Sequence, residues 1–253
     1  MPELTLNDLV ALGIVLIALV VLLINLVAHR TGPFRDLRKV AAFDQVESLM
    51  HESAEKGQRL VIGLGPNLAD QAPSVAGLNG LPILKVISRR SVFNDQPSQA
   101  VSGDGSLACL SQMIVRGAYQ NALAPELFKP DYGLLAGSTP YSHLAGLLPD
   151  INHRANAGVI LCGQFRPETI LALDLAERKN MPMIAMSDSL SAQAVFFASS
   201  AVVCLGEDYF SSGETLRHSP ATAASLRTQD ALRVLITLGL LVGAVLKIAG
   251  VLP

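Results

Sequence analysis

Residues 50–65 read MHESAEKGQRLVIGLG. His51, Glu52 and Ser53 stand side by side, and a base, an acid and a hydroxyl are the groups from which a nucleophilic relay is built. Adjacency argues against one here. The stretch has helical spacing, and consecutive residues on a helix point about 100° apart, so the three side chains cannot meet at one reacting atom. His51 is instead placed to pair with Glu47, one turn back. The following Gly63-Leu64-Gly65 comes after a strand-like run, as a dinucleotide-binding turn would. It lacks the third glycine, Pro66 follows at once, and no acidic residue closes a second strand about 20 residues on. It is read as a tight turn using glycine's backbone freedom.

A second group of candidates falls where strands are expected to end. CGQFRPET (162–169), MSDSLS (186–191) and LGEDYFSSGE (205–214) would line the carboxyl edge of an open sheet, where ligands of such folds bind. Glu168 and Thr169 open one helix, and Ser187, Asp188, Ser189 and Ser191 open another. Helix starts offer backbone amides to anions, although Ser and Asp are also ordinary caps. Glu207 and Asp208 complete the set. Cys109, Cys162 and Cys204 show no metal-type spacing and read as small apolar residues. No metal, cofactor or catalytic residue is expected.

The elements that must carry these residues alternate. A helix is expected over 34–55, stopped by Gly57, then a strand at 59–64 and a second at 82–89. A helix follows at 106–123, a strand at 131–137 and a short helix at 141–148. The clearest unit runs strand 157–163, helix 166–180, strand 181–187, helix 189–200 and strand 201–207. Pro167 and Glu168 suit a first helical turn. Alternation of this kind implies parallel strands joined by crossovers. The fold class is α/β, a Rossmann-like, mostly parallel sheet with helices on both faces.

Half of the 253 residues are apolar and the mean hydropathy is +0.41. Much of this sits at the ends. Residues 9–28 carry no charge, and a helix of about 20 residues spans the hydrocarbon core. The acidic start MPELTLND and the long apolar run do not fit a signal peptide. Residues 231–252 form a second such stretch, whose Gly239 and Gly243 have the spacing that lets helices approach in lipid. The expected organisation is an outer tail (1–8), a membrane helix (9–28), a cytoplasmic α/β domain (34–228) and a membrane helix (231–252). Arg30, Arg35, Arg38 and Lys39 after the first helix, with Arg227 and Arg233 before the second, place the domain inside and both termini outside. The domain's 16 basic and 18 acidic residues argue against nucleic-acid binding.

Two resemblances follow. The order strand, RPET, helix, strand, SDSLS, helix, strand is similar to sugar-isomerase-type domains, which bind phosphosugars through Ser/Thr-rich turns; Phe165-Arg166-Pro167 replaces their Ser-Gly loop. More broadly, HES with Gly57 and the next strand, SLACLSQMI, AYQNALAPELFKPDYGLLAGSTPYSHLAG and LGEDYFSSG resemble a domain-of-unknown-function family of bacterial and archaeal membrane proteins. There one α/β domain lies between two membrane helices. Gly206-Glu207-Asp208 departs from that family's Gly-Glu-Glu. The resemblance implies fold and membrane placement and marks His51, Glu52, Ser53, Glu207 and Asp208 as shared. It implies no reaction. A meeting of His51 and Glu207 across the domain is a hypothesis that the structure can test.

The expected function is therefore that of a homo-oligomeric scaffold of the cytoplasmic membrane, not an enzyme. Its partners would be the bilayer, copies of itself and other membrane proteins. The alternative is a domain that binds or processes a small phosphorylated ligand, a sugar phosphate or nucleotide, with the 163–169 and 187–191 turns. A transporter fits poorly, since two helices lack the repeats and buried charges of such proteins.

Overall fold

The computed structural model describes residues 6–29, 40–66, 74–212, 216 and 220–248. The chain divides into two compact units. One comprises residues 1–37 with 218–253, and the other residues 38–217.

The described elements run α1 (Leu6–His29), α2 (Ala41–Lys56), β1 (Arg59–Pro66), α3 (Val75–Ser91), β2 (Gln99–Gly103), α4 (Gly105–Asn121), β3 (Gly133–Leu135) and α5 (Pro140–Asn152). They continue with β4 (Asn156–Cys162), α6 (Ile170–Arg178), β5 (Met183–Ser187), α7 (Leu190–Phe197), β6 (Val202–Leu205), α8 (Glu207–Phe210) and α9 (Pro220–Ile248). The six strands form one sheet in the order β3-β2-β1-β4-β5-β6, with every neighbouring pair parallel. Strands β1 and β4 read as near-continuous apolar runs because both faces are covered. On one face α2, α3 and α4 enclose a core that includes Phe43, Leu49, Leu60, Ile62, Ile83 and Ile87. On the other, α5, α6 and α7 pack over Val61, Val159, Leu161, Leu173 and Phe196. The α/β, Rossmann-like expectation holds for this unit.

Local chemistry sets the element ends. Gly57 stops α2 in the left-handed region (φ 61°), returning its amide to Ala54, a conformation that glycine adopts without a Cβ penalty. The Asp104 carboxylate accepts the Leu107 amide at 2.9 Å and starts α4. Thr139 and Ser142 form a reciprocal capping box at α5. At the amino ends of β1, β2 and β4, Arg59 donates to Asp150 (3.1 Å), Asn156 (2.9 Å) and Gln99, tying three strands to α5.

Two sequence expectations are corrected here. Residues 82–89 lie inside helix α3, not in a strand. Pro82 is internal to that helix, and the run's β-branched residues fill its buried side. The second strand in sequence is instead Gln99–Gly103, all of it buried.

The flanking membrane-spanning helices are the other correction. Both stretches are helical, but among the described residues no helix is long and apolar enough to cross a membrane. In α9 the uncharged run between Arg233 and Lys247 rises only about 20 Å. In their own unit, α1 and α9 pack together. Asn25 donates to Val21 O (3.0 Å) and to Thr228 Oγ1 (3.4 Å). A Cβ built on Gly239 would meet nothing within 4 Å, so no helix approaches closely there. The surroundings of Gly243, the outer tail through Thr5 and the chain from 30 to 39 lie outside the described residues.

Candidate functional site

In a sheet of this order the chain reverses direction between β1 and β4, and the crevice beyond their carboxyl ends is the usual ligand position. At the described strand ends the two backbones approach closely. A Cβ on Gly65 would lie 2.6 Å from the Gln164 carbonyl oxygen, and one on Gly163 would lie 2.7 Å from the Gly65 nitrogen. Gly63 and Gly65 lie within β1 itself, not in a turn. Their small size is spent on close approach: a Cβ on Gly63 would meet Leu161 at 2.8 Å. Residues 67–73, which follow β1, lie outside the described residues.

The candidates at the next strand ends do converge. Met186 is in register with Cys162 on one side and Cys204 on the other, so Ser187, Asp188 and Ser189 lie beside the turn that opens with Gly206, Glu207 and Asp208. Most of the polar atoms are used internally. Ser187 is buried. Its Oγ accepts the Ser189 amide at 3.2 Å, and its carbonyl accepts Gly206 N–H (3.2 Å) and Gln193 Nε2 (3.1 Å). Thr169 is buried and donates to Arg166 O at 2.7 Å. Ser189 and Ser191 share a hydrogen bond of 3.1 Å, while α7 starts without a side-chain cap. Asp188 is exposed. Glu168 is half-buried, and its Oε1 has no hydrogen-bond partner among the described residues.

Tyr209, which sequence reasoning passed over, holds this edge together. Its phenol donates to Ala76 O at 2.6 Å, and Asn79 donates to its carbonyl at 2.7 Å. The fully buried ring thus ties α8 to the start of α3. Burial first, then the neighbouring Cys162, Asp188 and Cys204, pushes its hydroxyl well above the usual range. Cys162 and Cys204 are buried and free. Desolvation raises the first strongly, and desolvation with nearby Asp208 takes the second up to about 12. Neither is a thiolate nucleophile. Cys109, which reads in sequence as a small apolar residue like the other two, is exposed.

His51, Glu52 and Ser53 fan out around α2. His51 is exposed, Glu52 pairs with Lys56, and buried Ser53 donates to Gln58 O at 2.6 Å. Glu47 is taken by Arg90 at 3.0 Å, not by His51. Helix α2 descends to the amino end of β1, whereas Glu207 follows the carboxyl end of β6. The two residues therefore lie toward opposite ends of the sheet and do not meet. Among the described residues no group of three or more His, Cys, Asp or Glu is placed to hold a metal.

A further feature was invisible while residues 82–89 were read as a strand. Helices α3 and α4 bound a groove of about 290 Å³, lined by Lys85, Arg89, Leu110, Met113, Ile114 and Gly117, among others.

Neither the curated proteins nor the solved structures contain a match to this chain, so the likeness to sugar-isomerase-type domains is not supported. A family model does match, over residues 4–252. The chain belongs to the family described as Domain of unknown function (DUF6754).

Proposed function

We propose that this protein is a homo-oligomeric assembly protein, in which the α1/α9 unit joins copies and the α/β unit is the module so arrayed. The supporting observation is the apolar surface of that unit. Ten large apolar side chains of α1, from Leu12 to Val27, are about half exposed or more, and so are six of α9, from Val234 to Leu241. A helix that is apolar on all sides needs cover. Fully burying one such side chain is worth about 1.5–3 kcal/mol. Covering the exposed half of these gives on the order of 10 kcal/mol, comparable to the about 4–15 kcal/mol that association costs. Among the described residues of the α/β unit, the Ser187 and Thr169 side chains are spent on the Ser189 amide and the Arg166 carbonyl.

Sedimentation velocity and native mass spectrometry of the full chain test it. An oligomer that dissociates when Ile14 and Ile24 become Glu supports assembly. A monomer, or a monomer carrying bound lipid or detergent mass, would overturn it, because the apolar surface would then be covered by something other than copies.

A second reading, recognition of a small phosphorylated ligand, is favoured by one feature: the start of α7 has no side-chain cap, leaving amide donors beside Ser189 and Ser191. Shifts of the 187–192 amide resonances on titration with inorganic phosphate would support it, and unmoved resonances would remove it.

A further inference from the structure

The charge on helices α3 and α4 is one-sided. Neither VAGLNGLPILKVISRRS nor GSLACLSQMIVRGAYQN contains an Asp or Glu, while together they carry Lys85, Arg89, Arg90 and Arg116. The whole chain is net −2, so this is a local concentration against the average. Arg90 turns away to Glu47 on α2. Arg89 lines the groove with Leu110, Met113, Ile114 and Gly117, and Lys85, one helical turn before it, has a partner of its own. Arg116 is exposed on the same helix as the apolar floor.

The groove has a packing cause. Near their starts the helices touch closely: a Cβ on Gly77 would lie 2.8 Å from Leu107 Cδ1. Further along, Gly117 has nothing within 4 Å of an added Cβ, and Met113 is 69% exposed. Leu110, Met113, Ile114, Gly117 and Asn121 recur at the spacing of one helix face and extend about 16 Å, or three turns. A thioether on an exposed apolar floor adapts readily to a partner's side chains.

We infer that the α3/α4 groove is a docking site for an acidic amphipathic helix of a partner protein, about three turns long. Its apolar stripe lies on Leu110, Met113 and Ile114, and its carboxylates face Arg89 and Arg116. This is the helix-in-groove mode of recognition, with charge setting specificity and encounter rate. The chain's own acidic surfaces fit less well. The exposed stripe of α2 (Asp44, Glu47, His51, Glu55) carries no large exposed apolar side chain. On α6, where Ile170 and Leu171 are exposed, Asp174 is already paired with Arg178. Nucleic acid fits poorly, because the floor between the cations is aliphatic and offers no aromatic platform for bases.

The test uses the full-length protein and two fluorescein-labelled helical peptides of sixteen residues. Both carry the same Leu stripe, flanked by Glu in one and by Lys in the other. Fluorescence anisotropy should show saturable binding of the Glu peptide that weakens with salt, at least about tenfold tighter than the Lys peptide. The pair Arg89→Glu and Arg116→Glu should reverse that preference, and Met113→Asp should abolish binding of both, with circular dichroism confirming that each variant folds. Equal affinity for the two peptides, or binding unchanged by these substitutions, would overturn the proposal. So would sedimentation showing that Arg89→Glu dissociates an oligomer, since the groove would then hold a second copy. Apolar assembly through α1 and α9 is read separately, by the Ile14 and Ile24 variants, so either idea can fail alone.

Discussion

His143 should make the stability of this protein depend on pH between 4 and 7. The side chain lies on α5, 1% exposed. Its ring sits 6.2 Å from that of Phe165, and its Nε2 is 3.4 Å from the Val101 carbonyl. Burial lowers its pKa from 6.5 to about 4, with the Val101 contact opposing weakly. The folded state therefore keeps the ring neutral while the unfolded chain protonates near 6.5. Between the two values the unfolded state binds more protons, so stability rises with pH in that window and is lost as pH falls from 6.5 toward 4. The single-site expression gives a loss of about 2 kcal/mol on going from pH 7 to pH 5. Urea unfolding of the full chain, followed by circular dichroism at both pH values, measures the loss. His143→Leu removes the titrating group and leaves every carboxylate in place, so wild type should lose about 2 kcal/mol more than the variant over that interval. Equal losses in the two proteins would refute the argument, and would mean that the ring is hydrated or that α5 opens before the unit unfolds.

Four further outcomes follow from the packing. Gly103→Ala should destabilise the α/β unit by about 2 kcal/mol or more in the same unfolding assay, because the new Cβ would lie 2.3 Å from the backbone Cα of Pro66. Asp150→Ala should cost about 2–3 kcal/mol, since it strands the half-buried Arg59 guanidinium whose ion pair is 3.1 Å long. Thr139→Ala should cost about 1 kcal/mol through loss of the α5 capping box. A thiol reagent should label Cys109 quickly in the native protein and reach Cys162 and Cys204 only after denaturant is added; rapid native labelling of all three would mean that the β4–β6 edge opens.

The alternation of elements was legible in the residues themselves. Strand 157–163, the RPET helix start, the strand ending at Ser187 and the following helix all read correctly, because continuous apolar runs bounded by Pro, Gly and Ser mark buried parallel strands and caps. Residues 82–89 misled for the same reason. A short run rich in Ile, Leu and Val has no period that separates a buried strand from the inner side of a buried helix, and only the packing of Ile83, Leu84 and Ile87 of α3 into the core with Leu60, Ile62 and Leu64 decided it. Strand β2 was missed because QAVSG is short and half polar, its place secured by β1 and β3 on either side.

For the site, local sequence determined what each candidate could not be. Adjacency alone ruled out a relay at His51, Glu52 and Ser53, whereas the side-chain cap that residue type suggests at Ser189 does not form. Tertiary structure decided everything that depends on distance. It set Tyr209 against Ala76 and brought the backbone of Gly65 against Gly163 and Gln164. It sent His51 and Glu207 toward opposite ends of the sheet, and brought Lys85 and Arg89 alongside Met113 from a helix some twenty-five residues away. The apolar ends were plain from composition, whereas the surface their helices leave uncovered was not. Sequence fixes which side chains repeat on one face of an element; which faces meet depends on how parallel crossovers stack the elements, and that is a property of the assembled sheet.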